Sequence, residues 1–146
     1  MGLEENLRLI KARYKAVNAH DWSRFQGFYA DSIRWNDPGL RAPLKGPTAV
    51  RKRLETLTAA FPDLQWKLQH IFGHGEFICA EFVFTGRHAG PLSDNRIGQP
   101  IPPTRKRIRI QASGIYQIRK GKITDSRIYF DFGSLRQKGT GAQAKD

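Results

Sequence analysis

Apolar residues recur along this chain with two periods, and the change from one to the other divides it. Leu3, Leu7, Ile10, Tyr14 and Val17 step by four and three, which predicts an amphipathic helix over 3–18. Arg8, Lys11, Arg13 and Lys15 fall mostly off that stripe. Asp21 suits the N-cap of a short second helix over 22–29, with Trp22, Phe25, Phe28 and Tyr29 as its apolar side. A short strand follows over 33–36, closed by the loop signal Asp37-Pro38-Gly39. Pro47 fits the first position of a third helix with the stripe Val50, Leu54, Leu57 and Phe61, which Pro62 helps to stop.

From Leu64 onward the period becomes two. Alternation predicts strands over 64–72, 76–88, 105–119 and 122–131. In the first of these Trp66, Leu68 and His70 interleave with Gln65, Lys67 and Gln69. In the second, Ile78, Ala80, Phe82 and Phe84 share a face. The last two strands form a hairpin through Lys120-Gly121, a pair able to supply the positive φ of a tight turn. Its first strand presents Ile108, Ile110, Ala112, Gly114, Tyr116 and Ile118 on one side. Its second sets Ile123, Asp125, Arg127, Tyr129 and Asp131 against Thr124, Ser126, Ile128 and Phe130. The stretch from Gly86 to Pro103 is rich in Gly and Pro and reads as a long functional or mobile loop.

Helices segregated from a run of antiparallel strands predict an α+β fold. The expectation is a cone-shaped barrel of a curved, mostly antiparallel sheet packed on three N-terminal helices, with a pocket inside. The size of the chain, 146 residues, suits one domain over 1–137, followed by a flexible basic tail over 138–146.

Composition narrows the classes of function. The single cysteine, Cys79, excludes an intrachain disulfide and a cysteine metal cluster. The four histidines lack metal-ligand spacing, so no metal is expected. A formal charge of +12 raises nucleic acid as a partner. No helix-turn-helix, zinc-finger or ribonucleoprotein motif accompanies that charge, so a basic surface drawing anionic ligands is the preferred reading. No apolar run approaches the roughly 20 residues that span a bilayer. The N-terminal residues do not resemble a signal peptide, which points to a cytoplasmic protein without a membrane partner.

Three residues carry candidate chemistry. Asp131 ends the last strand among Tyr129, Phe130 and Phe132. Burial there would raise its pKa toward neutrality and suit a general acid/base, whereas the alternative is a cap on a following turn. His88, at the mouth of the long loop, either shuttles a proton or holds the loop by a backbone hydrogen bond. Asp37, before Pro38, is either a catalytic base or a turn-forming residue. Tyr14, Trp35, Phe28, Phe84 and Tyr129 are the aromatic candidates for lining a pocket that takes a small hydrophobic or aromatic ligand.

Several stretches resemble, in order and spacing, the SnoaL-like polyketide cyclases of the nuclear transport factor 2-like superfamily. They are residues 14–21 (Tyr14 to Asp21), Phe61-Pro62-Asp63-Leu64, residues 85–91 (Thr85 to Pro91), residues 103–108 (Pro103 to Ile108), and Gly121-Lys122-Ile123 with Asp131. The resemblance covers residues 5–137. It implies a homodimer and cofactor-free acid/base chemistry: aldol cyclisation of a polyketide-like carbonyl compound, with Asp131 as acid/base and His88 in the place of an assisting histidine. The stretch Asn36-Asp37-Pro38 also resembles the loop that carries the base of ketosteroid isomerase in the same superfamily. On that alternative Asp37 is the base and Tyr14 the oxyanion donor, while the third partner falls near Gly114. The remaining expectation is a domain of the same fold that binds a ligand or a protein without catalysis.

Overall fold

The computed structural model describes residues 2–92 and 99–131. Its elements are α1 (Leu3–Asn18), α2 (Trp22–Gln26), β1 (Tyr29–Asn36), β2 (Leu44–Lys45), α3 (Pro47–Ala60), β3 (Gln65–His74), β4 (Phe77–Arg87), β5 (Arg107–Arg119) and β6 (Lys122–Tyr129). The six strands make one sheet in the order β2-β1-β6-β5-β4-β3. Only β1 and β6 run parallel; every other neighbouring pair is antiparallel. The order is linear, so the expected α+β cone of helices on a curved sheet is present with its sheet left open.

Local chemistry explains the boundaries. Asp21 accepts a hydrogen bond from the backbone of Arg24, the N-cap expected of it. The second helix is shorter than its apolar pattern suggests, because Tyr29 is already paired with Ile123 as the start of β1. The β5–β6 turn places both Lys120 and Gly121 at positive φ, 52° and 76°. That conformation suits the right-handed twist of the two strands it joins. The first hairpin turns later than its Gly73-His74-Gly75 sequence implies, since β3 continues to His74 and Gly75 takes φ 59°.

The inner face of the sheet and one side of α1 and α3 bury a single core. Ile78, Ala80, Phe82 and Phe84 of β4 face Ile108, Ile110, Tyr116 and Ile118 of β5, as alternation predicts. Each fully buried large side chain of this kind stabilises the fold by roughly 1.5–3 kcal/mol. One end of α1 is stapled to the edge strand β3: the Asn18 side chain donates to Trp66 O and accepts from Trp66 N. That pairing satisfies the edge backbone at Trp66 and ties it to α1.

Two departures from simple alternation matter for the site. Between β5 and β6 the register shifts between Gln117 and Ile118, leaving Thr124 outside the cross-strand pairing. A bulge changes which residues share a face. Ile123 points inward, and so do Ser126 and Ile128 after the bulge, whereas Tyr129 and Asp131 are exposed. In α1 the inward side is Asn6, Ile10, Arg13, Tyr14 and Val17. Arg13, which the sequence pattern puts off the stripe, is wholly buried.

Candidate functional site

Between α3 and the inner face of the sheet lies a narrow apolar cavity. Leu54 and Leu57 line it from α3, and Phe82, Phe84, Ile110 and Ile128 from the sheet. Trp35 and Trp66 close its sides, while Asp37 and Arg53 supply its charged groups. The space open to a water molecule is about 30 Å³, enough for roughly two waters. A ring system enters only if the lining side chains move. A wider cavity of about 290 Å³ adjoins it, sharing Asp37 and Ile128 and adding Asn36, Arg41, Arg127 and Tyr129. Asp37 therefore belongs to both.

Asp37 reaches this place because it extends the inward alternation of β1 by one step, after Ile33 and Trp35. The residue is 8% exposed, and its carboxylate is fully engaged. Oδ1 accepts from Gly39 N at 2.8 Å and from Arg53 Nη2 at 2.8 Å. Oδ2 accepts from Trp35 Nε1 at 2.9 Å and from Arg53 Nε at 3.1 Å. Four donors fill its lone-pair sites, and the Arg53 fork is bidentate. Arg53 is itself largely covered. The loop Asp37-Pro38-Gly39 thus forms the turn its composition suggests and also places a charged pair against an apolar chamber.

Behind the two tryptophans sits a second, buried polar cluster. Arg13 donates from Nε to Tyr29 Oη at 2.9 Å and from Nη1 to Tyr116 Oη at 3.2 Å. The hydroxyls of Tyr14 and Tyr116 are 2.6 Å apart. The guanidinium carbon lies 4.9–5.6 Å from the rings of Tyr14, Tyr116, Trp66, Phe25 and Trp35. Burial opposes the Arg13 charge, but the oxygens of Tyr116, Tyr29 and Tyr14 more than offset it, and its pKa stays above the ordinary value. Burial pushes the Tyr29 phenol up to about 12. It also raises Tyr14 and Tyr116, and for Tyr14 the neighbouring Tyr116 adds to the effect.

Gly114 explains how the cluster fits. A Cβ built on Gly114 would fall on the hydroxyl of Tyr116, two residues along the same face. The space in which an isomerase-like acid was sought is therefore filled by a tyrosine hydroxyl bonded to Tyr14. Sequence reading missed Tyr116 and Arg13. The signals were a glycine two positions before an inward tyrosine, and an arginine three residues after Ile10 on a helix face.

The other sequence candidates are placed differently. Asp131 is exposed and does not line either cavity, so the enclosure expected of it is not found. His88 is buried outside the cavities. Its backbone N–H donates to Lys106 O, its carbonyl accepts from Arg105 N, and its Nδ1 accepts from Thr104 N. It fastens the chain entering β5, as the loop-holding alternative expects. Trp35 and Phe84 line the apolar cavity and Tyr129 the wider one. Tyr14 lies beneath the cavity, in contact with Trp66 and Phe82, and Phe28 packs on the periphery of the core. Among the described residues no cluster of His, Cys, Asp and Glu has metal-binding geometry, and no helix is long and apolar enough to cross a membrane. The expected turn after Phe132, residues 93–98 of the long loop and the tail over 138–146 lie outside the described residues.

The model of the SnoaL-like polyketide cyclases matches residues 8–138. The chain belongs to that family. The SnoaL-like assignment covers all the elements that build the cavity. No curated protein matches the sequence. Among solved structures, the fold is similar to a putative SnoaL-like polyketide cyclase from Jannaschia sp. CCS1, with 14% identity, TM-score 0.83, and 94% of this chain and 92% of that one covered. It is also similar to an epoxide hydrolase of M. tuberculosis described as LEH-like, with 15% identity, TM-score 0.72 and coverage of 97% and 94%. TerC, crystallised with polyporic acid, shares 13% identity at TM-score 0.74 with coverage of 92% and 97%. At such identities these likenesses establish the fold alone, and one fold can carry several chemistries.

Proposed function

We propose that this protein is a cofactor-independent acid/base enzyme acting on a hydrophobic aromatic or polyketide-like carbonyl compound, by cyclisation or isomerisation. The observation that carries the reading is the placement of one carboxylate, Asp37, with its partner Arg53, against a mostly apolar chamber. The family match and the crystallisation of TerC with polyporic acid support the ligand class.

The geometry sets a condition on the chemistry. All four acceptor sites of Asp37 are occupied, so it takes a substrate proton only by releasing a donor. Arg53 is the donor that can move. On this reading it turns one N–H from Asp37 to the carbonyl oxygen of the ligand. That shift frees a lone pair for the proton beside the carbonyl and gives the developing enolate a charged hydrogen bond. Trp35 and Gly39 keep the carboxylate in place meanwhile. Neither Asp131 nor His88 takes part.

The test does not require the natural substrate. Aromatic ketones are incubated with the protein in deuterated water, and exchange beside the carbonyl is followed by NMR. Asp37→Asn is expected to lower catalysed exchange about a hundredfold or more, whereas Asp131→Asn leaves it unchanged. Exchange retained in Asp37→Asn would remove Asp37 from the mechanism. A second reading, a ligand-binding domain without catalysis, is favoured by the saturated carboxylate; binding of the ketones with no exchange in the wild type would establish it. In either case we propose a homodimer through the outer sheet face, where Phe72 and Phe77 are exposed. The wide spread of basic residues is read as a surface that attracts anions, not as a nucleic-acid site.

A further inference from the structure

The apolar cavity stands in front of a buried positive charge. Trp35 and Trp66 line the cavity on one side and lie 5.6 Å and 5.3 Å from the Arg13 guanidinium carbon on the other. Arg53 and Asp37 cancel each other at the cavity itself. Arg13 has no such partner: its hydrogen bonds go to the neutral hydroxyls of Tyr29 and Tyr116, and its buried Nη2 meets no acceptor among the described residues. Of the charged groups on the chamber and its tryptophan wall, Arg13 is thus the one left without a counter-charge among the described residues. A second observation points the same way. Trp66 is 3% exposed and its buried indole Nε1–H has no acceptor among the described residues, a costly state for a buried donor. Both features are donors in want of an acceptor, and at Arg13 the missing acceptor leaves a positive charge without a counter-charge.

We propose that the cavity selects an aromatic ligand bearing an anionic oxygen, a carboxylate, phenolate or enolate, with Trp66 Nε1 donating to that oxygen and Arg13 stabilising its charge through the tryptophan wall. This inference rests on the reading of the cavity as the substrate site and names the class of substrate it takes. Arg13 touches no ligand; it acts as a positioning charge. A ligand stacked on Trp35 would lie about 9 Å from the guanidinium, a ring-contact distance beyond that ring. At that range, with the effective dielectric of a protein interior, one charge changes affinity by roughly tenfold.

The experiment compares 2-naphthoate with 2-naphthamide, a neutral ligand of the same shape, by calorimetry at 0.5 M salt. High salt suppresses attraction by the basic surface and leaves the buried charge in force. The wild type is expected to bind the naphthoate about tenfold more tightly. Arg13→Met is expected to abolish that ratio, Arg13→Lys to keep part of it, and Trp66→Phe to lower it, with unsubstituted naphthalene as the uncharged reference in each variant. Equal affinities in the wild type, or tighter naphthamide binding, would overturn the inference and leave the cavity reading standing. A tenfold ratio that persists in Arg13→Met would do the same. Failure of all three naphthalenes to bind would overturn both. The wild-type ratio alone is decisive should the Arg13 variants not fold.

Discussion

Arg53 and Arg13 lie on two sides of the same cavity and are handled in opposite ways. Arg53 meets a carboxylate in a bidentate fork, and its charge ends there. Arg13 meets tyrosine hydroxyls and five aromatic rings, so its charge is spread but not cancelled. Cation–π contacts are individually modest, up to about 2 kcal/mol when desolvated; several together make such a burial tolerable. The difference teaches that a charged pair beside a pocket is a local device, while an uncancelled charge behind its wall acts on whatever occupies the pocket.

Stability measurements can break this contrast. Asp37→Ala strips Arg53 of its partner and leaves the Trp35 and Gly39 donors unmet, which should cost about 3–5 kcal/mol in urea unfolding. Arg13→Met removes a charge that has no opposite charge to abandon and fills the ring cage with an apolar chain, so it should cost less than Asp37→Ala. A loss as large as that of Asp37→Ala would end the distinction. Gly114→Ala forces the Tyr116 ring away from Tyr14 and should cost about 1–3 kcal/mol, read by the same unfolding curves.

The tyrosines sharpen the comparison through pH. Their folded pKa values are raised, so the folded state holds protons that the unfolded chain releases near 10. Their contribution is complete below that pH and is lost as pH rises toward the value of about 12 for Tyr29. Tyr29→Phe should cost about 0.5–1.5 kcal/mol at neutral pH and flatten the alkaline fall, which unfolding at pH 8 and pH 11 would show. The smallest effect is expected from Asp131→Asn, within about 0.5 kcal/mol, because that side chain is exposed.

Much of this was legible before any coordinates. Asp37, in the loop signal after the strand over 33–36, was already a candidate acid, and alternation grouped Ile108 to Ile118 on one side of β5 without saying which side is inner. What misled was β6. Counting by twos joined Ile123 to Asp131, but the extra residue at Thr124 breaks that count. Such a bulge depends on the neighbouring strand and leaves no mark on the sequence of its own. Arg13 was hidden for a related reason: charge argues for solvent, and only the rings brought from α2, β1, β3 and β5 make its burial tolerable.

The sequence by itself determined the α+β class, the hairpin turn at Lys120-Gly121, the helix cap at Asp21 and the family resemblance, because these rest on periodicities and turn residues contained within short stretches. The tertiary structure alone decided that Asp37 and not Asp131 faces the cavity, that Tyr116 fills the space above Gly114, and that Arg13 stands behind the wall. Each of those depends on register and packing between segments far apart in the chain, where the partner of a side chain is set by the sheet and not by its neighbours in sequence.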